Sequence, residues 1–277
     1  MTFRDLTAAR TGSGVPPDPA GIAEGVPVRS LSPTTLLDVC ERGQRATPAE
    51  RAQLLLSAGC PDEPPEVLER LSIGRRDARL LEVRVRTFGD RLDAVATCPA
   101  CGDRLEMELR APDLSAQAAA TVGDEQDDGA ARLLSVDQDG YTVRFRLPTG
   151  ADMTEVCALP ESGPEVLLAR CVVDVRRGDE KLEIDGLPEA VAAAVAERME
   201  KADPGPGAAL DLACPACEHR WESPLDIASY FWAEVEAWAH RTLRDVHDLA
   251  STYGWTERDI LAMGGWRRQR YLDLIRK

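Results

Sequence analysis

Two short cysteine motifs in this chain could bind a metal ion. Residues 98–101 and 214–217 both read Cys-Pro-Ala-Cys, and both continue into the pattern C-P-A-C-x-x-R-apolar-E. A Cys-x-x-Cys turn directs two sulfurs at one point about 2.3 Å away, and two such turns complete the tetrahedron that zinc prefers. The repeated motif therefore predicts one structural zinc ion per chain. The predicted ligands are Cys98, Cys101, Cys214 and Cys217.

The two motifs lie far apart in the chain. The 112 residues between Cys101 and Cys214 exceed the roughly 15–20 residues of a contiguous zinc ribbon. We therefore predict a split ribbon that carries residues 110–208 as an insertion. The motifs could instead be two dithiol or disulfide pairs, or each could bind metal with other ligands, among them His219. Four thiolates suit iron as well as zinc.

The remaining cysteines and histidines give weaker signals. His240 and His247 are single residues seven positions apart, for which we predict structural or surface roles. The other four cysteines stand alone among apolar neighbours, and we predict that they are buried small hydrophobic residues: Cys40, Cys60, Cys157 and Cys171.

The amino terminus indicates the compartment. It lacks a basic start followed by an apolar block, so we expect no secretory signal and a reducing, cytoplasmic setting, which disfavours disulfides. A redox role is disfavoured as well, because neither cysteine motif lies at a predicted strand-to-helix turn.

Helical patterns precede the first cysteine motif. A Thr-Pro-x-Glu start signal at 47–50 predicts a helix over 47–58, and a second helical run ends at Gly89. Residues 1–30 have no hydrophobic period and predict a flexible N-terminal arm that contributes little to the core. Residues 31–90 then form an N-terminal helical region.

From residue 91 the hydrophobic period changes to that of strands. Leu105, Met107 and Leu109 alternate with charged residues, and Asp139-Gly140 is a hairpin-turn signal within 132–147. We predict an α+β fold in which residues 91–224 form a small antiparallel β region that bears the ribbon. The same region is further predicted to contain an acidic loop at 123–130, helices at 151–159, 164–173 and 188–201, and a strand at 208–213.

Residues 225–277 predict a C-terminal helical unit rich in aromatic residues. A long helix is expected to about residue 250, followed by helices starting near Thr256 and at Arg267. Nine of the 13 aromatic residues fall in the last 57 positions, where they could form a core or a docking face.

Composition excludes several classes of function. The 33 basic and 48 acidic side chains give a net charge of −15, which opposes general binding to nucleic acid or to anionic membranes. No apolar run is long enough to span a bilayer. Phosphate-cradling, zinc-protease and serine-hydrolase motifs are absent from the sequence, so we expect neither an enzyme nor a small-molecule substrate.

Two long segments carry a resemblance. Both are similar to a family of phage baseplate proteins. They are IGRRDARLLEVRVRTFGDRLDAVATCPACGDRLEMEL at 73–109 and YGWTERDILAMGGWRRQRYLDLI at 253–275. That family is related to the hub-assembly component of contractile-tailed phages, and its members also occur in gene clusters for extracellular contractile injection systems. LPTGADM at 147–153 and the second cysteine motif extend the resemblance.

The resemblance implies a non-enzymatic structural or assembly component of a baseplate. Its partners would be other baseplate, hub or spike proteins, met in the bacterial cytoplasm. At the C-terminal end, candidate contact anchors are Trp255, Trp266 and Tyr271. A candidate basic rim, which could equally be a solvated helix face, is formed by Arg267, Arg268 and Arg270.

One alternative function is a zinc-ribbon nucleic-acid-binding regulatory protein. The charge near the first motif disfavours it, because residues 95–110 carry three acidic and two basic side chains.

Overall fold

The computed structural model describes residues 27–115, 133–159, 163–182, 187–207 and 210–275. The predicted acidic loop at 123–130 and residues 1–26 of the predicted arm lie outside these ranges.

In the described residues before the first strand, the chain forms four α-helices and a short 3-10 helix, Gly43–Arg45. The α-helices are α1 (Pro33–Arg42), α2 (Pro48–Gly59), α3 (Pro65–Glu69) and α4 (Ile73–Phe88). The start signal of α2 is confirmed, because the Thr47 hydroxyl accepts the Glu50 N–H while the Glu50 carboxylate accepts the Thr47 N–H. Gly89 ends α4 with a φ of +95°, a conformation that favours glycine.

The described residues that follow form three antiparallel sheets. The strands are β1 (Arg91–Thr97), β2 (Arg104–Arg110), β3 (Leu134–Gln138), β4 (Tyr141–Phe145), β5 (Val172–Arg177), β6 (Glu180–Leu182), β7 (Leu210–Ala213) and β8 (Arg220–Ser223). Strands β1 and β2 form one hairpin, β7 and β8 form another, and β3 to β6 form a four-stranded sheet in chain order. The predicted turn is confirmed, since Asp139 and Gly140 both have positive φ between β3 and β4.

The remaining elements are helical. The insertion contributes α5 (Gly150–Cys157), α6 (Pro164–Cys171) and α7 (Glu189–Ala202). The C-terminal part contributes α8 (Ile227–Tyr253), α9 (Glu257–Leu261) and α10 (Gly265–Ile275). In the described parts of the chain, no helix combines the length and hydrophobicity that a membrane span requires.

The predicted helix over 164–173 is wrong in its last two residues. It ends at Cys171 because β5 begins at Val172 and pairs with β4. A register shift beside Arg144 leaves Val173 without a partner residue and exposed, which interrupts the alternation that would have indicated a strand.

The main hydrophobic core joins distant parts of the sequence. Leu55 of α2, Leu80 of α4, Leu92 of β1 and Phe231 of α8 are all buried in it. Val28 also belongs to this core and is only 5% exposed. Of the predicted arm, the described residues 27–30 place Val28 in the core, and the Arg29 N–H donates to the Gly59 carbonyl at the end of α2.

The described residues form two smaller cores as well. One lies between the four-stranded sheet and α7, where Val143 and Phe145 meet Val191 and Val195. The other lies between the end of α8 and helices α9 and α10. Helix α8 thus begins in the main core, which it shares with the N-terminal helices, and ends in the C-terminal one.

A buried carboxylate stabilises the insertion. Asp152, near the start of α5, accepts a hydrogen bond from Arg146 Nη2 at 2.8 Å and bonds from the Thr149 N–H and hydroxyl. Burial raises the pKa of Asp152, but the hydrogen bonds from Arg146 and Thr149 outweigh it and hold the pKa well below its usual range.

We expect this group to make stability depend on pH. A carboxyl whose pKa is depressed by folding stabilises the folded state above its unfolded pKa of about 4, and that contribution is lost as pH falls towards the folded value. Asp152→Asn should therefore cost about 2 kcal/mol at pH 7, with the gap from wild type closing between about pH 4 and pH 2. Urea unfolding of both proteins across this range measures the gap, and a gap independent of pH would contradict the assignment.

Candidate metal centre

The two cysteine motifs occupy equivalent positions in two hairpins. Each forms the tip, between Thr97 and Arg104 in the first hairpin and between Ala213 and Arg220 in the second. The first cysteine of each motif donates its N–H to the carbonyl five residues later, at 2.8 Å for Cys98 and 2.9 Å for Cys214. The same backbone turn is therefore built twice.

The four sulfur atoms converge on one point. Cys98 Sγ lies 3.7 Å from Cys217 Sγ, and Cys101 Sγ lies 3.6 Å from Cys214 Sγ. All four sulfurs lie within 4.8 Å of one another. A tetrahedron with zinc–sulfur bonds of about 2.3 Å has edges of about 3.8 Å. The arrangement therefore fits a four-thiolate metal site.

The same distances argue against disulfides. A sulfur–sulfur bond is about 2.05 Å long, and all eight cysteines have free thiols. The short distances also link one hairpin to the other, which does not correspond to two separate dithiol motifs.

The electrostatics of the cluster favour a cation. Burial raises the pKa of the Cys98 thiol, but the N–H groups of Cys101 and Ala100 and the nearby thiols outweigh it and lower the pKa to about 7. The Asp103 N–H lowers the pKa of Cys101, but hydrogen bonds with the other thiols outweigh it and raise the pKa to about 12. Without a cation, ionisation of one thiol thus opposes ionisation of its neighbour, whereas a bound divalent ion would favour four thiolates.

His219 is not placed with the sulfurs. Its ring is exposed and stacks on Trp221, with ring centroids 5.9 Å apart. Its backbone carbonyl accepts a hydrogen bond from the Cys214 N–H, so His219 stabilises the backbone turn of the second motif. Among the residues that the structure describes, the group that could hold a metal contains the four cysteines alone.

The hairpin tips differ at one backbone position. Gly102 and Glu218 both lie four residues after the first cysteine of their motif, and both have positive φ, +77° and +58°. Glycine adopts this conformation readily, whereas a residue with a Cβ is strained there by about 1–2 kcal/mol.

This difference predicts opposite effects of two substitutions. Gly102→Ala should destabilise the metal-loaded protein by about 1–2 kcal/mol through backbone strain alone, because no atom lies within 4 Å of the added Cβ. Glu218→Gly should leave stability unchanged or raise it by up to about 1 kcal/mol. Chemical unfolding measures the stability of both variants. Equal losses of stability in the two would contradict the prediction that the two turns are equivalent.

The first hairpin is anchored to the main core. Leu92, Ala94 and Ala96 of β1 are buried, and the Tyr230 hydroxyl of α8 donates to the Asp93 carbonyl at 3.1 Å. The second hairpin contributes Leu210 to the same core. A metal at the tips would therefore join two strand pairs that the core already holds close together.

The structure contains a polar contact that the sequence reasoning missed. Arg84 of α4 is buried against Glu234 of α8, four residues after Leu80 on the apolar face of its helix. A charged residue at a core-facing helical position was the available signal.

The predicted contact residues separate into two groups. Trp255 and Tyr271 pack on each other, with ring centroids 4.8 Å apart, and against the C-terminal core. Arg268 turns towards Asp245 of α8 at 4.0 Å. Trp266, Arg267 and Arg270 are exposed. Contact with a partner remains a prediction for all six.

The isolated cysteines and histidines lie largely where the sequence predicts. Cys40, Cys60 and Cys171 are buried, while Cys157 is only half-buried. His240 and His247 are exposed on α8.

The fold and this site define a mixed α and β protein in which two distant hairpins bring four thiols together. A family model described as "T4 bacteriophage base plate protein" matches residues 34–232, more than two thirds of the chain and all four cysteines. The chain belongs to this phage baseplate family. No curated protein and no solved structure matches it significantly.

Proposed function

We propose that this chain is a non-enzymatic component of the baseplate of a phage-tail-like contractile injection system, or a factor that assembles it in the bacterial cytoplasm. The observation that carries the proposal is the family match over residues 34–232, which includes both cysteine hairpins. The hub-assembly component is the subtype that we favour, from the resemblance of residues 73–109 and 253–275. Its partners would be other baseplate, hub or spike proteins.

A structural zinc ion at Cys98, Cys101, Cys214 and Cys217 is part of this proposal. The sulfur geometry supports it, and a closed set of four thiolates leaves no coordination position for water or substrate. When bound, the ion would hold the two hairpins together as one ribbon. The second core, built between residues 134 and 202, supports the idea that the chain between the hairpins is an insertion into that ribbon.

The charges around the hairpins support protein partners over nucleic acid. The tip and strands of the second hairpin carry Asp211, Glu218 and Glu222 against Arg220. Phosphate binding needs clustered basic side chains, and neither hairpin presents such a cluster.

Deletion of the gene from an otherwise complete particle gene cluster tests the function. We expect electron microscopy to show sheaths or tubes without baseplates, and expect complete particles to return when the wild-type gene is restored. Mass spectrometry of purified particles and assembly intermediates should detect the chain in at least one of them. Normal numbers of complete particles after deletion, with the chain absent from every intermediate, would refute the proposal.

A further inference from the structure

The last helix of an acidic protein is basic. Helix α10 carries three basic side chains and one acidic side chain, whereas the whole chain has a net charge of −15. The family model covers residues 34–232 and does not reach this segment, although the sequence of 253–275 resembles the same family.

Helix α10 has one buried face and one exposed face. Leu272 is buried in the C-terminal core, and Tyr271 and Ile275 pack against it. On the opposite side, Trp266 is 67% exposed and Leu274 is 61% exposed. Arg267 and Arg270 are exposed as well. At about 100° per residue these four side chains fall within about a third of the helix circumference. We call Trp266, Arg267, Arg270 and Leu274 the C-terminal face.

The chemistry of this face is that of a protein contact. The Arg270 guanidinium lies 5.6 Å from the centre of the Trp266 ring, so the cation covers part of the aromatic surface. Tryptophan and arginine are enriched among the residues that dominate binding energy at interfaces. Neither Trp266 nor Leu274 gains much from the chain's own fold, because most of each side chain remains in water.

We infer that the C-terminal face binds a carboxylate-rich segment of another particle protein, with apolar side chains of that segment packed on Trp266 and on Leu274. Charge complementarity selects this occupant, since arginines attract carboxylates and form paired hydrogen bonds with them. The ion pair that Arg270 makes within the described chain is a long, exposed contact of 3.8 Å with Asp273 of its own helix. A short segment can stay within the basic end of the molecule, whereas a long polyanion such as DNA would extend along its acidic remainder. The inference rests on the proposed function for the source of the partner.

Binding measurements on the full-length chain test the inference. The chain is co-expressed with each of the other proteins of the particle, and the affinity of the complex that forms is measured. Trp266→Ala should weaken binding by at least about 30-fold, the effect of a strong contact residue. The double variant Arg267→Glu, Arg270→Glu should weaken it comparably and reduce its dependence on salt. Two controls change exposed residues away from this face, Leu243→Ala on α8 and Arg198→Glu on α7, and should bind like wild type.

The bound segment is located by a photo-crosslinking amino acid at position 274. A cross-link to an acidic segment of another particle protein supports the inference, particularly if lysines placed in that segment restore binding to the charge-reversed variant. A cross-link to a second copy of this chain, to nucleic acid or to a basic segment would overturn it, as would wild-type affinity in both face variants. Those outcomes leave the proposed function intact. If no particle protein binds the wild-type chain, the inference fails, whereas the proposed function is refuted only by normal particles after deletion of the gene.

Discussion

Replacing Cys98 with serine is expected to release the metal and to cost more stability than any single core substitution in this chain. Structural zinc contributes roughly 10–16 kcal/mol in small zinc peptides. The hairpins here also pack on the main core through Leu92 and Leu210, so we expect a smaller loss of about 5 kcal/mol. For a protein of this size, that corresponds to a fall in Tm of about 10–20 °C.

A cysteine substitution in either hairpin should cause the same loss of stability. We expect the same Tm as in the Cys98 variant for each of the other three ligand variants, Cys101→Ser, Cys214→Ser and Cys217→Ser. A strong chelator should lower the Tm of the wild-type protein to that value. Cys157→Ser is the matched control, because Cys157 is a half-buried free thiol outside the cluster. It should melt within a few degrees of wild type. Scanning calorimetry makes the comparison, and a Cys98 variant that melts like the control would contradict a structural metal.

Breaking the ion pair between α4 and α8 should cause the second-largest loss of stability among these predictions. Arg84 donates to both carboxylate oxygens of Glu234, at 2.6 and 2.8 Å, and its third nitrogen donates to the Gly89 carbonyl at the end of α4. The Arg84 side chain is only 3% exposed. Glu234→Ala would leave its guanidinium buried without its hydrogen-bonded carboxylate, at an expected cost of about 3–5 kcal/mol.

A double substitution separates the cost of an unpaired charge from the worth of the pair. Arg84→Met with Glu234→Met replaces both partners by apolar side chains of similar length and should recover most of the stability lost in Glu234→Ala. The exposed pair Arg29 and Asp62 is the control, and Asp62→Asn should leave Tm nearly unchanged. Urea unfolding gives the free energies. A Glu234→Ala variant as stable as wild type would show that this contact contributes nothing.

Local signals predicted local structure well. The capping residues of α2 and the Asp139-Gly140 turn specify their conformations within a few residues, so the sequence pattern was sufficient. The meeting of the two hairpins is a long-range event, yet it could be anticipated because the two motifs share nine-residue patterns. Four thiols in two such turns suit one shared tetrahedral site.

The structural features that the sequence did not predict have a common physical cause. β5 is held by pairing with β4 across an irregular register, and the burial of Val28 depends on contacts with residues far along the chain. The sequence near Arg84 gives its helical face but not its partner 150 residues later. Similarly, aromatic content alone could not separate the packed Trp255 from the exposed Trp266, because that choice depends on how α10 lies against α8. Tertiary contacts decide each case.

Metal analysis combined with X-ray absorption on the purified full-length chain tests the central claim most directly. We predict one zinc ion per chain, surrounded by four sulfur atoms at about 2.3 Å, and complete loss of metal in either Cys98→Ser or Cys214→Ser. Two ions per chain, nitrogen or oxygen among the ligands, or full metal content in the Cys214 variant would contradict a single site shared by the two hairpins.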